Sequence, residues 1–189
     1  MAVYVDDVLI TCSWKDLITA AIDVLKTKFE VEQSDATCFL GINIERNQRT
    51  RTIKLSQAPY IHRVINRFEL SEAKGVKVPF EAMQRLTKTG VVNQEQEIVD
   101  CPYRQAIGAL LYIVIATRPD LAFAVSIVAR FCEAPRVGHW RAVKHILRYL
   151  IETINLSLCL GASDATSVSL FVDADHGGIW IRVDRRQER

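Results

Sequence analysis

The chain has 189 residues, of which 49% are hydrophobic and 24% are charged, and its formal net charge is +2. That length can bury a hydrophobic core in one domain or two small ones, and the charge is too small to indicate a nucleic-acid partner by itself. Five scattered cysteines argue against a zinc site or a disulfide framework, and the longest apolar stretch, residues 106–116, is shorter than the ~20 residues of a membrane span. We therefore expect a soluble intracellular protein without a membrane segment.

The first predicted element is a short β-hairpin. Residues 3–5 and 8–10 are β-type apolar runs, and the dipeptide Asp6-Asp7 lies between them. Two apolar runs around a polar dipeptide are typical of a tight hairpin. The sequence therefore predicts that Asp6 and Asp7 lie at a hairpin tip.

A helix and a second hairpin are predicted next. Ser13 and Asp16 have the spacing of a capping box that opens a helix. Apolar residues then recur at helical spacing. These residues are Ile18, Ala21, Ile22, Leu25 and Phe29. Residues 39–44 and 52–55 are extended by pattern, and the arginine-rich turn between them favours a hairpin.

A second helix is predicted after this hairpin, with Ser56 as its cap and Pro59 in its first turn, where proline is tolerated. Its apolar face comprises Ile61, Val64, Ile65 and Phe68. The hairpin and the helix also share a basic patch, with Glu45 as the single neighbouring acid. The patch consists of Arg46, Arg49, Arg51, Lys54, His62, Arg63 and Arg67. It could hold a phosphate backbone, or it could be an ordinary solvated surface, and the sequence leaves both open.

The second half of the chain is predicted to be mostly helical. Residues 69–99 are polar and contain Pro79 and Gly90, so we place a domain boundary there. Helices are predicted over residues 103–116, 121–132 and 140–153, strands over 156–160 and 167–172, and a disordered charged tail over 182–189. The pair His139-Trp140 could stack on a base, but a capping histidine and a core tryptophan are commoner, and we favour them.

Asp6 and Asp7 are the clearest candidates for chemistry. Adjacent carboxylates on a tight turn repel each other unless a cation lies beside them, and hard oxygen ligands suit Mg²⁺. Two-metal phosphoryl transfer uses such carboxylates to hold two ions ~4 Å apart. The common alternative is an Asp-Asp pair present only for its turn preference. The dipeptide by itself favours that alternative.

The residues around this pair resemble a known family. Tyr4-Val5-Asp6-Asp7 resembles the Tyr-x-Asp-Asp box of reverse transcriptases, and its valine is similar to the copia type of retrotransposon. Further motifs resemble the same family in the same order along the chain. They are Phe39-Leu40-Gly41-Ile42, Leu55-Ser56-Gln57, Tyr60-Ile61, Tyr103-Arg104, Gly108-Ala109-Leu110-Leu111-Tyr112, Thr117-Arg118-Pro119-Asp120, Ala124-Val125-Ser126, Arg130-Phe131, residues 139–150 and Asp173-Ala174-Asp175. Such an ordered series, covering nearly the whole chain, resembles a copia-type Pol polyprotein whose reverse transcriptase runs into the start of RNase H.

The resemblance implies an α+β fold. It would begin with a partial palm of antiparallel hairpins and a helix, continue into a helical thumb and connection, and end in an incipient RNase H-like strand pair. In this interpretation residues 1–70 are the partial palm and the start of the thumb, and residues 71–100 are a linker. Residues 101–155 are the helical thumb or connection region, and residues 156–189 are the truncated start of RNase H.

The resemblance also implies roles for individual residues. Asp6 and Asp7 would be the catalytic, Mg²⁺-binding carboxylates of the palm, and Asp173 would be a vestigial RNase H carboxylate. The partner would be an RNA or DNA primer–template. The residues expected to contact it are Tyr4, Arg46, Arg51, Lys54, Leu55, Ser56 and Gln57.

The family's polymerase also needs a third palm carboxylate and fingers, both upstream of this hairpin, and its RNase H needs acids downstream of Asp173. Because fixing substrate and metals in place supplies most of the rate, we expect the chain to be an inactive fragment of an RNA-directed DNA polymerase. Two departures from the family pattern, at residues 33–36 and at His176, agree with that expectation. The alternative is a domesticated or remnant nucleic-acid-binding module without catalysis. The parent element implies the cytoplasm or a virus-like particle, and the oligomeric state is left open.

Overall fold

The computed structural model describes residues 1–80, 86–87, 90–91 and 100–161, and this part of the chain mixes α-helices with antiparallel strands. The strands are β1 (Ala2–Tyr4), β2 (Asp7–Leu9), β3 (Cys38–Phe39), β4 (Ile42–Asn47), β5 (Thr52–Ser56), β6 (Leu86–Thr87), β7 (Gly90–Val91) and β8 (Leu158–Gly161). The α-helices are α1 (Lys15–Lys26), α2 (Ala58–Arg67), α3 (Tyr103–Ala116), α4 (Ala122–Ala129) and α5 (Val137–Glu152). The predicted mixture of hairpins and helices is therefore confirmed.

The strands form a four-stranded antiparallel sheet in the order β3-β4-β5-β8, and two separate hairpins, β1-β2 and β6-β7. The extended run predicted over residues 39–44 is wrong in one respect, because a turn at Leu40 and Gly41 divides it into β3 and β4. Both turn residues have positive φ, at 52° and 74°, which is the signature of a type I′ hairpin turn. Glycine at the second position meets that requirement without steric cost.

Strand β8 adds to the sheet beside β5, with Lys54 opposite Cys159 and Leu55 opposite Leu158. The first of the two C-terminal strands expected from the sequence therefore pairs with the hairpin region. Its predicted companion, residues 167–172, lies outside the described residues, so the strand pair is not shown. The prediction of pairing missed this partner because periodicity identifies a strand but not its neighbour.

Helices α2, α3, α4 and α5 share one hydrophobic core. The face predicted for α2 is confirmed, since Ile61, Val64, Ile65 and Phe68 are all buried. The centre of the core is formed by residues from the three later helices. They include Leu110, Ile113, Val125, Val143, Ile146, Leu147 and Leu150, none of which is exposed. Burial of such side chains contributes ~1.5–3 kcal/mol each, so this core is the main source of stability in the described chain.

The predicted helix over residues 103–116 is confirmed at both ends. The second predicted helix begins with a 3₁₀ turn, Pro119–Leu121, before α4, and the third begins earlier than expected, at Val137. His139 caps this last helix, because its Nδ1 accepts a hydrogen bond from the backbone N–H of Arg136 at 3.0 Å. The capping interpretation of His139 is therefore confirmed.

Two other predicted caps are wrong. The N-cap of α1 is Trp14 and that of α2 is Gln57, and neither makes a side-chain capping bond. Ser56, predicted to cap α2, is the last residue of β5. A hydroxyl residue near a helix start matches the capping pattern in the sequence. Strand β5, however, continues through Ser56, so the N-cap position of α2 falls on the next residue, Gln57.

Residues 71–80 lie along α5 in the structure. Arg148 Nε donates to the carbonyl of Lys74 at 2.6 Å, and the backbone N–H of Val76 donates to the Arg148 carbonyl at 3.3 Å. His145 Nε2 lies 3.0 Å from the carbonyl of Val78. These bonds attach the start of the segment predicted as a linker to the helical core.

A half-buried ion pair lies just after α3, and hydrogen bonds connect it to the end of α5. Arg118 donates to both carboxylate oxygens of Asp120, at 2.9 and 2.8 Å, and to the carbonyl and hydroxyl oxygens of Thr153, at 3.0 and 2.7 Å. The Tyr149 hydroxyl donates to Asp120 at 3.0 Å. Burial alone would raise the pKa of Asp120, but the hydrogen bonds and charge of Arg118 together with Tyr149 hold it below its ordinary value. We call these four residues the clasp.

No helix in the described part of the chain is long and apolar enough to cross a lipid bilayer.

Candidate functional site

The β1-β2 hairpin carries the two candidate carboxylates. Tyr4 pairs with Asp7 across the ladder, so Val5 and Asp6 form the two-residue turn. Asp6 is at the tip as predicted, whereas Asp7 is the first residue of β2. Val5 has a φ of 50°. This conformation is strained for a β-branched residue, and such strain clusters at functional sites.

The hairpin is open to solvent. Tyr4 is 60% and Val5 81% exposed, and both aspartates are exposed. Among the described residues, the ion pair found is that of Arg118 with Asp120, so neither hairpin carboxylate is neutralised by a basic side chain there. Carboxylate oxygens are the hard donors that Mg²⁺ prefers in proteins. Within the described residues, no group of three or more His, Cys, Asp or Glu side chains could hold a metal ion.

The β4-β5 hairpin carries the predicted basic residues. Its tip is shaped by Asn47, whose side-chain oxygen accepts hydrogen bonds from the backbone N–H groups of Arg49 and Thr50 at 3.0 and 3.1 Å. Arg46 and Arg51 line an open cleft of about 460 Å³ beside this turn. Positive charge on an exposed hairpin attracts phosphate groups.

The register of the hairpin divides the predicted contact residues between the two faces of the sheet. Arg46 is opposite Ile53 and Lys54 is opposite Glu45, and neighbouring residues of a strand point to opposite faces. Arg46 and Leu55 therefore share one face with apolar strand residues, whereas Lys54 and Ser56 share the polar face. The sequence grouped Arg46 and Lys54 as one basic patch and took Leu55 and Ser56 from the family resemblance, whereas the register places the two members of each pair on opposite faces.

A second, smaller cleft lies on the polar face. It has a volume of about 230 Å³, and Lys54 and Ser56 line one wall. Asn155 and Ser157, from the loop between α5 and β8, line the other wall. Sequence reasoning missed these two residues, because nothing in the local pattern shows that their loop returns to β5.

Gln57 belongs to the core and not to the surface. Its side chain is 1% exposed, and its amide oxygen accepts a hydrogen bond from the Thr117 hydroxyl at 2.8 Å. Its amide nitrogen is buried and has no hydrogen-bond partner among the described residues. Gln57, itself predicted to contact nucleic acid, therefore lies buried between α2 and α3, directly after Ser56 in the sequence.

Two basic residues of α2 contact protein side chains. The guanidinium of Arg63 lies 5.7 Å from the ring centroid of Tyr60, and Arg67 donates to the side chain of Gln105 at 2.9 Å. The Tyr60 ring in turn packs edge-on against Tyr112, with ring centroids 5.0 Å apart. Arg63 and Arg67 are thus in contact with protein side chains, unlike the hairpin residues Arg46 and Arg51, which line the open cleft.

Asp173, predicted as an RNase H carboxylate, lies outside the described residues, as do Asp175 and His176. Its role stays a prediction.

Comparison with known proteins gives one family match, to reverse transcriptase (RNA-dependent DNA polymerase), over residues 1–82. The chain is 39% identical over 182 residues to the retrovirus-related Pol polyprotein from transposon TNT 1-94 of Nicotiana tabacum, which covers 94% of this chain and 14% of that protein. It is 34% identical over 180 residues to the Pol polyprotein from transposon RE2 of Arabidopsis thaliana, which covers 94% of this chain and 12% of that protein. The chain therefore spans only a small part of these relatives.

A shorter relative is also similar. An uncharacterized mitochondrial protein of Arabidopsis thaliana, AtMg00810, is 28% identical over 179 residues, which are 94% of this chain and 72% of that protein. No solved structure matches the chain significantly.

Proposed function

Because this chain is a reverse transcriptase-like part of a copia-type transposon Pol polyprotein, we propose that it supplies the C-terminal part of the palm and the start of the thumb of an RNA-directed DNA polymerase. In this proposal Asp6 and Asp7 hold a divalent cation, and the β4-β5 hairpin contacts the primer–template. The observation that carries it is the exposed β1-β2 turn, where strained Val5 presents Asp6 at the tip.

The residues of the turn have distinct roles in this proposal. Asp6 and Asp7 provide oxygen ligands, and the exposed ring of Tyr4, opposite Asp7 in the ladder, provides a surface against which a nucleotide can pack. A cation bound there supplies positive charge that stabilises the charge developing on phosphoryl oxygens. Arg51 and Lys54 attract the phosphate backbone from the hairpin beside the sheet.

We further propose that the 189 residues alone do not polymerise. Phosphoryl transfer depends on ligands held rigidly in the reacting geometry, within ~0.5 Å. The hairpin that bears Asp6 and Asp7 instead exposes Val3, Tyr4 and Val8 to solvent, so the described packing does not hold its carboxylates in place.

Metal binding can be tested apart from activity. Mn²⁺ added to the ¹⁵N-labelled chain should broaden the amide signals of residues 5–8 selectively, and Asp6→Asn with Asp7→Asn should abolish that broadening. Asp16→Asn, which removes an exposed carboxylate from α1, is the matched control and should leave it intact. Broadening that persists without both hairpin carboxylates would contradict the metal-binding proposal.

Primer extension with Mg²⁺ tests the proposed inactivity. We expect no incorporation of nucleotides by the purified chain. Incorporation that disappears in Asp6→Asn would show that the 189 residues form a complete polymerase site, and the proposal of inactivity would be withdrawn.

A nucleic-acid-binding module without catalysis is the second candidate, and the open cleft at Arg46 and Arg51 favours it. Binding to a primer–template duplex should weaken with salt, and each phosphate contact adds about −0.9 to the slope of log K against log[salt]. Arg51→Ala should reduce that slope by about one. Arg130→Ala, an equal change of charge at the end of α4, is the control and should not alter it. An unchanged slope in Arg51→Ala would exclude this hairpin from binding.

A further inference from the structure

The smaller cleft on the polar face joins two segments that are distant in sequence. Lys54 and Ser56 come from the corner where β5 enters α2, and Asn155 and Ser157 come from the loop that leads from α5 into β8. The two segments meet because β8 pairs with β5. At about 230 Å³ the cleft is smaller than the ~300–1,000 Å³ of whole-ligand pockets, so its size suits a single phosphate and its sugar.

Four residues that line the cleft carry donors of the kind that contact a sugar-phosphate backbone, and the carboxylate of Glu45 and the apolar side chains of Ala58 and Ile154 complete the lining. A lysine ammonium group, two serine hydroxyls and an asparagine amide all donate hydrogen bonds, and phosphate oxygens accept them. Lys54 lies opposite Glu45 in the ladder. In the part of the chain that the structure describes, the ion pair found joins Arg118 to Asp120, so Lys54 is not neutralised by Glu45.

Both walls of the cleft begin next to the clasp. Thr153, which accepts two hydrogen bonds from Arg118, immediately precedes the loop that contains Asn155 and Ser157. On the other wall, Thr117 donates to Gln57, the residue that follows Ser56. Thr117 and Arg118 are adjacent and both buried, so each wall is hydrogen-bonded to the same short buried segment.

We propose that this cleft binds the sugar-phosphate backbone of one nucleic-acid strand, with Asn155 and Ser157 as contact residues and Thr117 and Arg118 as positioning residues. The inference rests on the proposed function, since the strand belongs to the same primer–template. The inference adds the α5–β8 loop to the nucleic-acid contact. This loop is distant from the β4-β5 hairpin along the chain, so the sequence does not show that the two are neighbours. Lys54 and Ser56 contact the same strand from the opposite wall.

Glu45 provides a test in which the expected change is a gain. Its carboxylate lines the cleft and repels a phosphate group there. Glu45→Gln should therefore tighten binding of a primer–template duplex about threefold at low salt. Glu133→Gln, an equal change of charge at an exposed position after α4, should leave the affinity within about twofold. A gain at Glu45 alone cannot arise from misfolding.

The new contact residues are tested by fluorescence anisotropy of a labelled primer–template duplex with the full chain. The double variant Asn155→Ala/Ser157→Ala should bind about tenfold more weakly, as expected for the loss of two hydrogen bonds. Gln33→Ala/Ser34→Ala, a matched change in the exposed loop before β3, should bind within about twofold of the unaltered chain.

The positioning role is tested by a double-mutant cycle. Thr117→Val removes the bond to Gln57 and should weaken binding about threefold, whereas Thr117→Ser should restore it. In the Asn155→Ala/Ser157→Ala background, Thr117→Val should have less than about a twofold effect, because the contacts it positions are already gone. A merely structural role predicts the same loss in both backgrounds.

The outcomes separate this inference from the function on which it rests. If the unaltered chain binds the duplex and Asn155→Ala/Ser157→Ala binds equally well, the cleft is not a strand site and the inference is overturned. If the unaltered chain binds no duplex even at low salt, the proposed nucleic-acid contact is overturned, and the inference with it.

Discussion

Replacing Asp120 by asparagine tests the clasp directly. The change keeps the size of the side chain but removes its negative charge. The Arg118 guanidinium, which is 2% exposed, then keeps its hydrogen bonds to the two oxygens of Thr153 but loses its charged partner. Removing one partner of a buried ion pair costs about 3–5 kcal/mol, because the remaining charge stays buried. The Asp120 side chain is 38% exposed, so solvent screens part of this cost. We therefore expect Asp120→Asn to lower the free energy of unfolding by about 2 kcal/mol.

Urea unfolding followed by circular dichroism measures this change, and thermal unfolding should show a Tm lower by about 4–8 °C for a chain of this size. Asp16→Asn, at an exposed position of α1, is the control and should change the free energy of unfolding by less than about 0.5 kcal/mol. A cost below that limit for Asp120→Asn would refute the reasoning that the clasp stabilises the helical core.

The same ion pair predicts how stability depends on pH. The pKa of Asp120 in the folded chain is lower than its ordinary value, since the hydrogen bonds and charge of Arg118 outweigh the effect of burial. The stabilisation from Asp120 is therefore complete above about pH 4, and it is lost as the pH falls through the lower pKa of the folded state. The difference in stability between the unaltered chain and Asp120→Asn should shrink over that acidic window. A difference that stayed constant there would contradict the assigned direction of the shift.

Two other substitutions test how the helical core is built. Leu110→Ala, at a position that is 0% exposed, should cost about 3 kcal/mol in urea unfolding, whereas Ile115→Ala on the same helix, at a position 83% exposed, should change stability by less than about 0.5 kcal/mol. Tyr112→Phe removes the hydroxyl that donates to the carbonyl of Leu40, and should cost about 1 kcal/mol. Faster amide exchange at Gly41 should accompany that loss, and unchanged exchange would show that the β3-β4 turn is held by other contacts.

Several local elements could be predicted because their signals are local. The apolar spacing of Ile61, Val64, Ile65 and Phe68 gives the buried face of α2, and the long apolar run from Tyr103 gives α3. The polar pair between two β-type runs gives the first hairpin. Each of these features depends on residues only a few positions apart, so a periodic pattern is enough to identify them.

The predicted caps failed for a related reason. Ser13 and Ser56 have the residue types that cap helices, yet the chain reaches its helices through Trp14 and Gln57. Where a helix begins depends on where the preceding segment ends and on what the first turn packs against. For Gln57 that neighbour is Thr117, from the end of α3.

The sequence by itself determined the family resemblance, the order of hairpins and helices, and the position of Asp6 at an exposed turn. Only the tertiary structure decided that β8 pairs with β5, that Arg46 and Lys54 point to opposite faces, and that the α5–β8 loop forms a cleft wall. The physical reason is that periodicity records which side of an element is apolar, whereas pairing between distant segments depends on the register and the packing of the whole chain.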